Sequence, residues 1–402
     1  MIDAIKNVGV VGLGVMGFDI AFLYAMKGYR TLAYDASKPA MEALSNRREN
    51  VIERLRRRNR ISDTEVENVR KGLIPAPDIE SMATVDLVTE AVSEVADTKV
   101  AVYEALKGAG FSGVLTTNTS SLTRARLLSN EPYQRENFAS THFFNPVLYT
   151  QMVEVVKGDM EKASFEATIV FLASLGRKPV ETRDISGFVS NSLLMYYAVM
   201  ALWLLQRGAG IEAVDQTAKQ MRLLPPLTSF DSWKPSIVED VTKVMFQLRG
   251  DRFLRSSTLL STLARGNPAF YIDQKANPEI YRKIGVSRSP IEDATIQRAL
   301  KASIYIGAAR VVELGEDPAK VEVIAVEGIK IPNGPLKEID EIGARAVLED
   351  LKSINREVVD NELTAPALLT AMAEQNQTFF YKERPNPWVS LFLERQRSHA
   401  SH

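Results

Sequence analysis

Residues 6–35 read KNVGVVGLGVMGFDIAFLYAMKGYRTLAYD. Residues 6–11 form a short run rich in β-branched side chains, and glycines follow at once. Gly12, Gly14 and Gly17 satisfy G-x-G-x-x-G. The spacing predicts an apolar helix over residues 16–27, closed by Gly28, and a second strand over 30–34 that ends at Asp35. Strand, glycine turn, helix and strand make a βαβ unit, the context in which this glycine pattern carries meaning. Gly12 permits the tight turn, Gly14 lets the backbone approach a pyrophosphate, and Gly17 lets the helix pack closely on the strand. The helix N-terminus adds N–H donors and partial positive charge. Asp35 is placed to accept bonds from ribose hydroxyls and repels a 2′-phosphate, so the cofactor expected is NAD rather than NADP.

The alternation continues downstream. Residues 86–90 (DLVTE) predict a strand, 98–108 a helix, and 114–117, 138–142 and 152–156 three more strands. This is the pattern of an α/β, Rossmann-type doubly wound sheet over about the first 180 residues. Glu90 ends its strand at the carboxyl edge of that sheet, on the nicotinamide side. After Asp184 the character changes. Residues 189–205 are a long apolar stretch with Asn191 and Ser192 near its start, read as a buried helix rather than a membrane span. The rest reads as helices punctuated by proline and glycine, an all-α C-terminal region.

That region contains a repeat. The stretch NSLLMYYAVMALWLLQRG starts at Asn191, and RALKASIYIGAARVVELG starts at Arg298, 107 residues later. Gly208 and Gly315, and Pro225 and Pro332, keep the same offset. The expected organisation is a nucleotide-binding domain over 1–183, a helical domain over 184–288, a second helical repeat over 289–395 and a flexible polar tail over 396–402.

Composition narrows the function. Of 402 residues, 49 are basic and 50 acidic, so no net field draws the chain to nucleic acid or to an anionic membrane, and neither partner is expected. Cysteine is absent, which removes disulfides, thiolate metal sites and a cysteine nucleophile. The three histidines are His142, His399 and His402, too scattered for a multi-histidine metal site, so no metal is expected. The N-terminal residues lack the basic region of a secretory signal, and the expected location is cytoplasmic.

Four segments carry the chemistry: TNTSSL at 117–122, THFFNP at 141–146, MVEVV at 152–156 and DISGFVSN at 184–191. The first three lie at or beside strands of one sheet, whose C-terminal ends converge on a cofactor cleft. Oxidising an alcohol with NAD requires a base for the hydroxyl proton. His142 is the one histidine in the body of the chain, and histidine is the residue type that titrates near neutrality. Glu154 can fix the tautomer of His142 and stabilise its charged form. Ser120 and Asn191 offer uncharged donors to a hydroxyl or carbonyl oxygen.

Together, GLGVMG, Asp35, TNTSSL, HFFNPV, MVEVV and GFVSN resemble the L-3-hydroxyacyl-CoA dehydrogenases of β-oxidation. The resemblance implies NAD-dependent oxidation of an L-3-hydroxyacyl-CoA to the 3-ketoacyl-CoA, and the reverse. It assigns His142 and Glu154 as the acid/base pair, Ser120 and Asn191 as holders of the substrate's reacting oxygens, and Asn145 to a position near the nicotinamide. It also places a coenzyme A-binding helical hairpin near residues 47–60, RRENVIERLRRRNR, where Arg54, Arg57 and Arg58 are candidates to clamp phosphates. The duplicated helical region resembles the dehydrogenase part of multifunctional β-oxidation enzymes. The second copy then fills the place of a partner subunit, giving a monomer, with a homodimer as the alternative. Because Arg298 stands where Asn191 stands in the first copy, one active site is expected.

The chain departs from the family pattern at Ser192, where arginine is usual, and at Thr228 and Ser229, where a Gly-Pro pair is usual. These changes leave open a non-standard 3-hydroxyacyl thioester or a free β-hydroxy acid as substrate. The β-hydroxyacid dehydrogenases share the GLGxMG start, but their lysine four residues before an asparagine is Gly187 here. A reading of another class is a non-catalytic nucleotide-binding or structural protein derived from the family.

Overall fold

The computed structural model describes residues 5–255, 257–285 and 291–400, except the side chains of 399 and 400. The chain forms two compact units, Met1–Asp184 and Ile185–His402.

The first unit is an eight-stranded sheet. Its strands are β1 (Asn7–Val11), β2 (Arg30–Tyr34), β3 (Leu73–Pro75), β4 (Leu87–Glu90), β5 (Val114–Thr117), β6 (Phe138–Phe143), β7 (Met152–Val156) and β8 (Lys178–Thr182). The spatial order is β3-β2-β1-β4-β5-β6-β7-β8. Strand order reverses between β1 and β4, which opens a crevice at their carboxyl ends. Strands β1 to β6 are parallel; β7 runs antiparallel to β6 and parallel to β8. The six helices are α1 (Val15–Met26), α2 (Lys38–Arg57), α3 (Asp63–Gly72), α4 (Ala96–Gly108), α5 (Arg124–Leu127) and α6 (Lys162–Ser174). Helix α1 is apolar nearly all round and correspondingly buried, as a helix wedged on a sheet must be. Tyr24 on α1 reaches the sheet through Thr89, 2.9 Å away, so its one polar atom is satisfied inside the core.

The second unit is helical and internally repeated. The first copy comprises α7 (Phe188–Gln206), α8 (Ile211–Gln220), α9 (Pro226–Trp233), α10 (Pro235–Arg249), α11 (Thr258–Ala264), the hairpin β9 (Tyr271–Ile272) and β10 (Lys275–Ala276), and α12 (Pro278–Ile284). The second comprises α13 (Asp293–Glu313), α14 (Pro318–Val323), α15 (Pro335–Ile342), α16 (Ala344–Glu357), α17 (Ala367–Gln375), the hairpin β11 (Phe380–Tyr381) and β12 (Arg384–Pro385), and α18 (Pro387–Ala400).

The correspondence extends to side-chain bonds. Asp231 accepts from the N–H groups of Phe270 and Tyr271, and Asp340 from those of Phe379 and Phe380, an offset of 109 throughout. Asn277 donates to Ala269 O, and Asn386 to Thr378 O, at the same offset. The offset of 107 in the long helices thus becomes 109 before α15. Helices α7 and α13 pack on each other, and Gly307 makes the approach close: a Cβ there would stand 3.2 Å from Ser192 O. Helix α7 is long and apolar enough to cross a membrane, yet 83% of its most apolar window is buried inside the unit.

Two expectations need correction. The two short hairpins, β9–β10 and β11–β12, were not foreseen in a region read as purely helical; each turns through two residues with positive φ, Asp273–Gln274 and Lys382–Glu383, which no glycine announces. The tail from 396 is not a loose end as far as Ala400, because α18 runs through it. The two helical copies lie in one compact unit, and their expected boundary at 288/289 lies outside the described residues.

Candidate active site

The glycine turn is shaped as the cofactor reading requires. Gly12 has φ of 93°, the left-handed region that favours glycine. A Cβ on Gly17 would stand 1.8 Å from Gly12 O, so no side chain fits there. A Cβ on Gly14 would meet nothing within 4 Å, and Gly14 is exposed, leaving the turn open on that side. Asp35 binds the turn from β2, its Oδ2 accepting from Leu13 N at 2.6 Å and its Oδ1 from Ser37 N at 2.8 Å. These features fit a dinucleotide: a tight turn, an open approach at a helix N-terminus and a carboxylate beside it.

His142 and Glu154 face each other as a registered pair across the antiparallel β6–β7 ladder. Nδ1 of His142 lies 2.9 Å from Oε2 of Glu154. Both are buried, Glu154 completely. The register of β6 against β7 achieves this, since directly opposed residues on neighbouring strands project to one face. A fully buried carboxylate is costly unless it is partnered, and the imidazole supplies one partner of Glu154. Phe144 packs beside the His142 ring, centroids 5.4 Å apart. Asn118 in the β5 loop accepts from Phe143 N at 3.0 Å and ties that loop to the same strand.

Two residues the sequence reading missed organise the β4–β5 edge. Glu94 Oε1 accepts from Thr119 Oγ1 (2.6 Å), Ser120 N (2.8 Å), Ser121 N (2.7 Å) and Ser121 Oγ (2.8 Å), so it sets the loop that presents Ser120. Lys99, completely buried, lies 2.8 Å from Glu90 and 3.6 Å from Glu94. Burial would push the Lys99 ammonium down, but the two carboxylates hold it above the ordinary lysine range. Burial would likewise raise Glu94, but Lys99 and the loop donors hold it below the usual carboxylate range. The only signal was a lysine among apolar residues on one helix face.

Glu90 is completely buried at the carboxyl edge of the sheet, with Oε1 accepting from Val92 N and Lys99, and Oε2 from Tyr103 and Thr117, all at 2.6–2.8 Å. Those bonds fill its acceptor sites and anchor the sheet edge. Asn145 is exposed and precedes Pro146 in the loop after β6. Asn191 lies in the first turn of α7, in the second unit. Thr228 and Ser229 are absorbed by α9: Thr228 binds Asp215 through both its N–H and its hydroxyl, and Ser229 donates to Pro225 O.

The arginine-rich helix divides into paired and unpaired cations. Arg57 is in an exposed i,i+4 pair with Glu53. Arg54 is electrostatically coupled to Asp19 on α1. Arg58 donates to the Tyr149 hydroxyl at 3.2 Å, and Arg60, not singled out before, lies over the Tyr149 ring at 5.1 Å. Arg47 turns inward, donating to Leu13 O (2.5 Å) and Gly14 O (3.1 Å), with its guanidinium 4.1 Å from the centre of the Phe18 ring. It thus braces the glycine turn from behind.

Comparison with known proteins agrees with this geometry. Residues 7–185 match the model "3-hydroxyacyl-CoA dehydrogenase, NAD binding domain", and residues 187–275 match "3-hydroxyacyl-CoA dehydrogenase, C-terminal domain". The chain belongs to the 3-hydroxyacyl-CoA dehydrogenase family, and NAD is the cofactor of the domain its first unit matches. Among individual relatives, it is 31% identical over 235 residues to the mitochondrial hydroxyacyl-coenzyme A dehydrogenase of Rattus norvegicus, covering 56% of this chain and 74% of that one. It is 25% identical to the fatty acid oxidation complex subunit alpha of Pseudomonas aeruginosa, over 94% of this chain but only 56% of the relative. The chain therefore spans little more than half the length of those subunits. Its fold is that of the crystal structure of 3-hydroxybutyryl-CoA dehydrogenase from Escherichia coli, with a TM-score of 0.75 at 21% identity, covering 92% of this chain and 98% of that one.

Proposed function

We propose that the chain catalyses the reversible NAD-dependent oxidation of an L-3-hydroxyacyl-CoA to the 3-ketoacyl-CoA, with His142 as general acid and base. The observation that carries this reading is the buried His142–Glu154 pair, in a sheet whose first strand opens on the glycine turn. NAD, when bound, supplies the hydride acceptor.

In the oxidative direction, the substrate's hydroxyl proton passes to His142. With Nδ1 engaged by Glu154, proton exchange with the substrate falls to Nε2. Glu154 then stabilises the imidazolium, and in the reductive direction Nε2 returns the proton. Ser120, whose loop is set by Glu94, and Asn191 take the family's role of holding the substrate's reacting oxygens by the match of their motifs. Asp35, Gly12, Gly14 and Gly17 bind the dinucleotide, with Arg47 bracing the turn. Arg54, Arg57 and Arg58, with Arg60 beside them, are the cations assigned to the phosphates of coenzyme A. The cytoplasm is the location this reading proposes.

The test is NADH absorbance with acetoacetyl-CoA and with 3-hydroxybutyryl-CoA. Thioester-dependent turnover in both directions supports the reading. Turnover of free 3-hydroxy acids alone transfers the activity to another substrate class, and no turnover with any of them leaves a nucleotide-binding protein. The second helical copy stands in for a partner subunit in this reading, so light scattering should give the mass of one chain.

A further inference from the structure

The first turn of α7 carries Asn191 and is gripped by a buried guanidinium from outside the helix. Arg249, at the end of α10, donates through Nη1 to Ser192 Oγ at 2.9 Å and to Ser186 O at 3.3 Å. Its side chain is 4% exposed. The two acceptors flank Gly187, the residue before the helix, whose φ of 84° no other residue type adopts readily. A Cβ on Gly187 would also strike Met245, one turn before Arg249 on the same helix. Where the family carries arginine after the asparagine, this chain has Ser192, and a guanidinium arrives from α10 instead.

Arg249 is itself ion-paired, by proximity of charge rather than by a hydrogen bond. Its Nη2 lies 2.8 Å from Oδ2 of Asp251, a carboxylate 9% exposed. The other oxygen of Asp251 lies 3.5 Å from Nε of Arg310 on α13, in the second helical copy. Gly307, one turn earlier on α13, brings that helix against the backbone of Ser192. The second copy therefore meets the start of α7 twice, by direct packing and through the line Arg310–Asp251–Arg249–Ser192. Asp251 is the carboxylate paired with the buried Arg249, so moving either leaves a buried charge unpaired, whereas Arg310 also pairs with Glu313 at 2.5 Å and tethers Asp251 more loosely. The planar fork of Arg249 further limits the positions of its acceptors.

We propose that Asp251, Arg249 and Arg310 form a positioning unit for Asn191, through which the second helical copy, lacking that asparagine itself, fixes the substrate helix of the first. The inference rests on the role given to Asn191 under the proposed function.

Two gentle variants of the full chain test it. Ser192→Ala removes the acceptor without changing charge, and Asp251→Asn removes the central charge at nearly constant shape. Each should lower kcat with acetoacetyl-CoA by about tenfold, the scale of a displaced reacting group. KM for NADH should stay within about twofold of wild type, since the grip lies in the unit that does not carry the glycine turn. The double variant should be no worse than the more damaged single, because both break one line of contacts. Asp251→Glu should recover part of the loss. Independently of activity, amide hydrogen exchange over residues 186–195 should quicken in Asp251→Asn while that over 138–156 does not. Wild-type kcat in both variants, losses that simply multiply, or unchanged exchange at 186–195 would each overturn the proposal. A wild-type chain inactive on every thioester would instead strike at the proposed function, and the exchange measurement still decides whether the grip exists.

Discussion

Replacing His142 with glutamine removes the proton carrier while keeping a neutral side chain opposite Glu154. Turnover should fall roughly 100- to 10,000-fold, the usual contribution of a positioned acid/base. NADH binding, followed by fluorescence, should survive, because the glycine turn and Asp35 lie on other strands. Turnover near wild type would take the reaction away from His142. Arg47→Ala asks a different question. It deletes two bonds to the carbonyls of Leu13 and Gly14 and a cation over the Phe18 ring. Each bond from a charged donor is worth about 1.5–3 kcal/mol at most, so a loss of NADH affinity of about tenfold is expected. Unchanged affinity would reduce Arg47 to a helix-packing residue. Its role was not legible in the sequence, since seven arginines in 47–60 look alike until the fold shows which one turns inward.

Single elements decide more than their residues do. Strand β7 runs against the direction of its neighbours up to β6, and its register against β6 sets Glu154 across from His142. Gly17→Ala tests the element at the other edge of the crevice. A methyl 1.8 Å from Gly12 O forces α1 away from the turn, so NADH binding should be lost while the helical unit keeps its structure by circular dichroism. Retained binding would show that the turn is not the cofactor's seat. Six of the eight strands, helices α1, α4 and α7 and the glycine tasks were readable in advance because each follows from a local period or a steric demand, whereas the short β3 and the half-exposed β8 were not. The direction of β7 was not, because neither a period nor a propensity encodes which way a strand enters a sheet. The surroundings of Glu90 were hidden for a related reason: a strand-end carboxylate reads as solvated until a lysine nine residues on and a tyrosine thirteen residues on are seen to fold over it. The helical repeat was legible from three landmarks. The hairpins within it were not, because residues 271–276 and 380–385 lack both alternation and a glycine turn.

At the scale of the whole molecule, the two helical copies carry equivalent carboxylates, and those of the second give stability a dependence on pH. Glu322, on α14, accepts from Leu336 N at 2.7 Å, as Asp215 accepts from Leu227 N in the first copy. Burial pushes Glu322 up to about 7, and Asp340, the acceptor beside the second hairpin, up to about 6. A carboxyl raised by folding keeps its proton in the native state at pH values where the unfolded chain has lost it. The native state then binds more protons than the unfolded one between the ordinary carboxylate range and about pH 7, so stability from these groups falls as pH rises through that window. Urea midpoints of wild type and Glu322→Gln at pH 5, 6, 7 and 8 isolate the contribution of Glu322. The glutamine cannot titrate, so any stability advantage of wild type should shrink from pH 5 to pH 8 and level off above about pH 7. A difference that stays constant, or that grows with pH, would mean that Glu322 is already ionised in the native fold at pH 5 and that its bond to Leu336 N outweighs its burial.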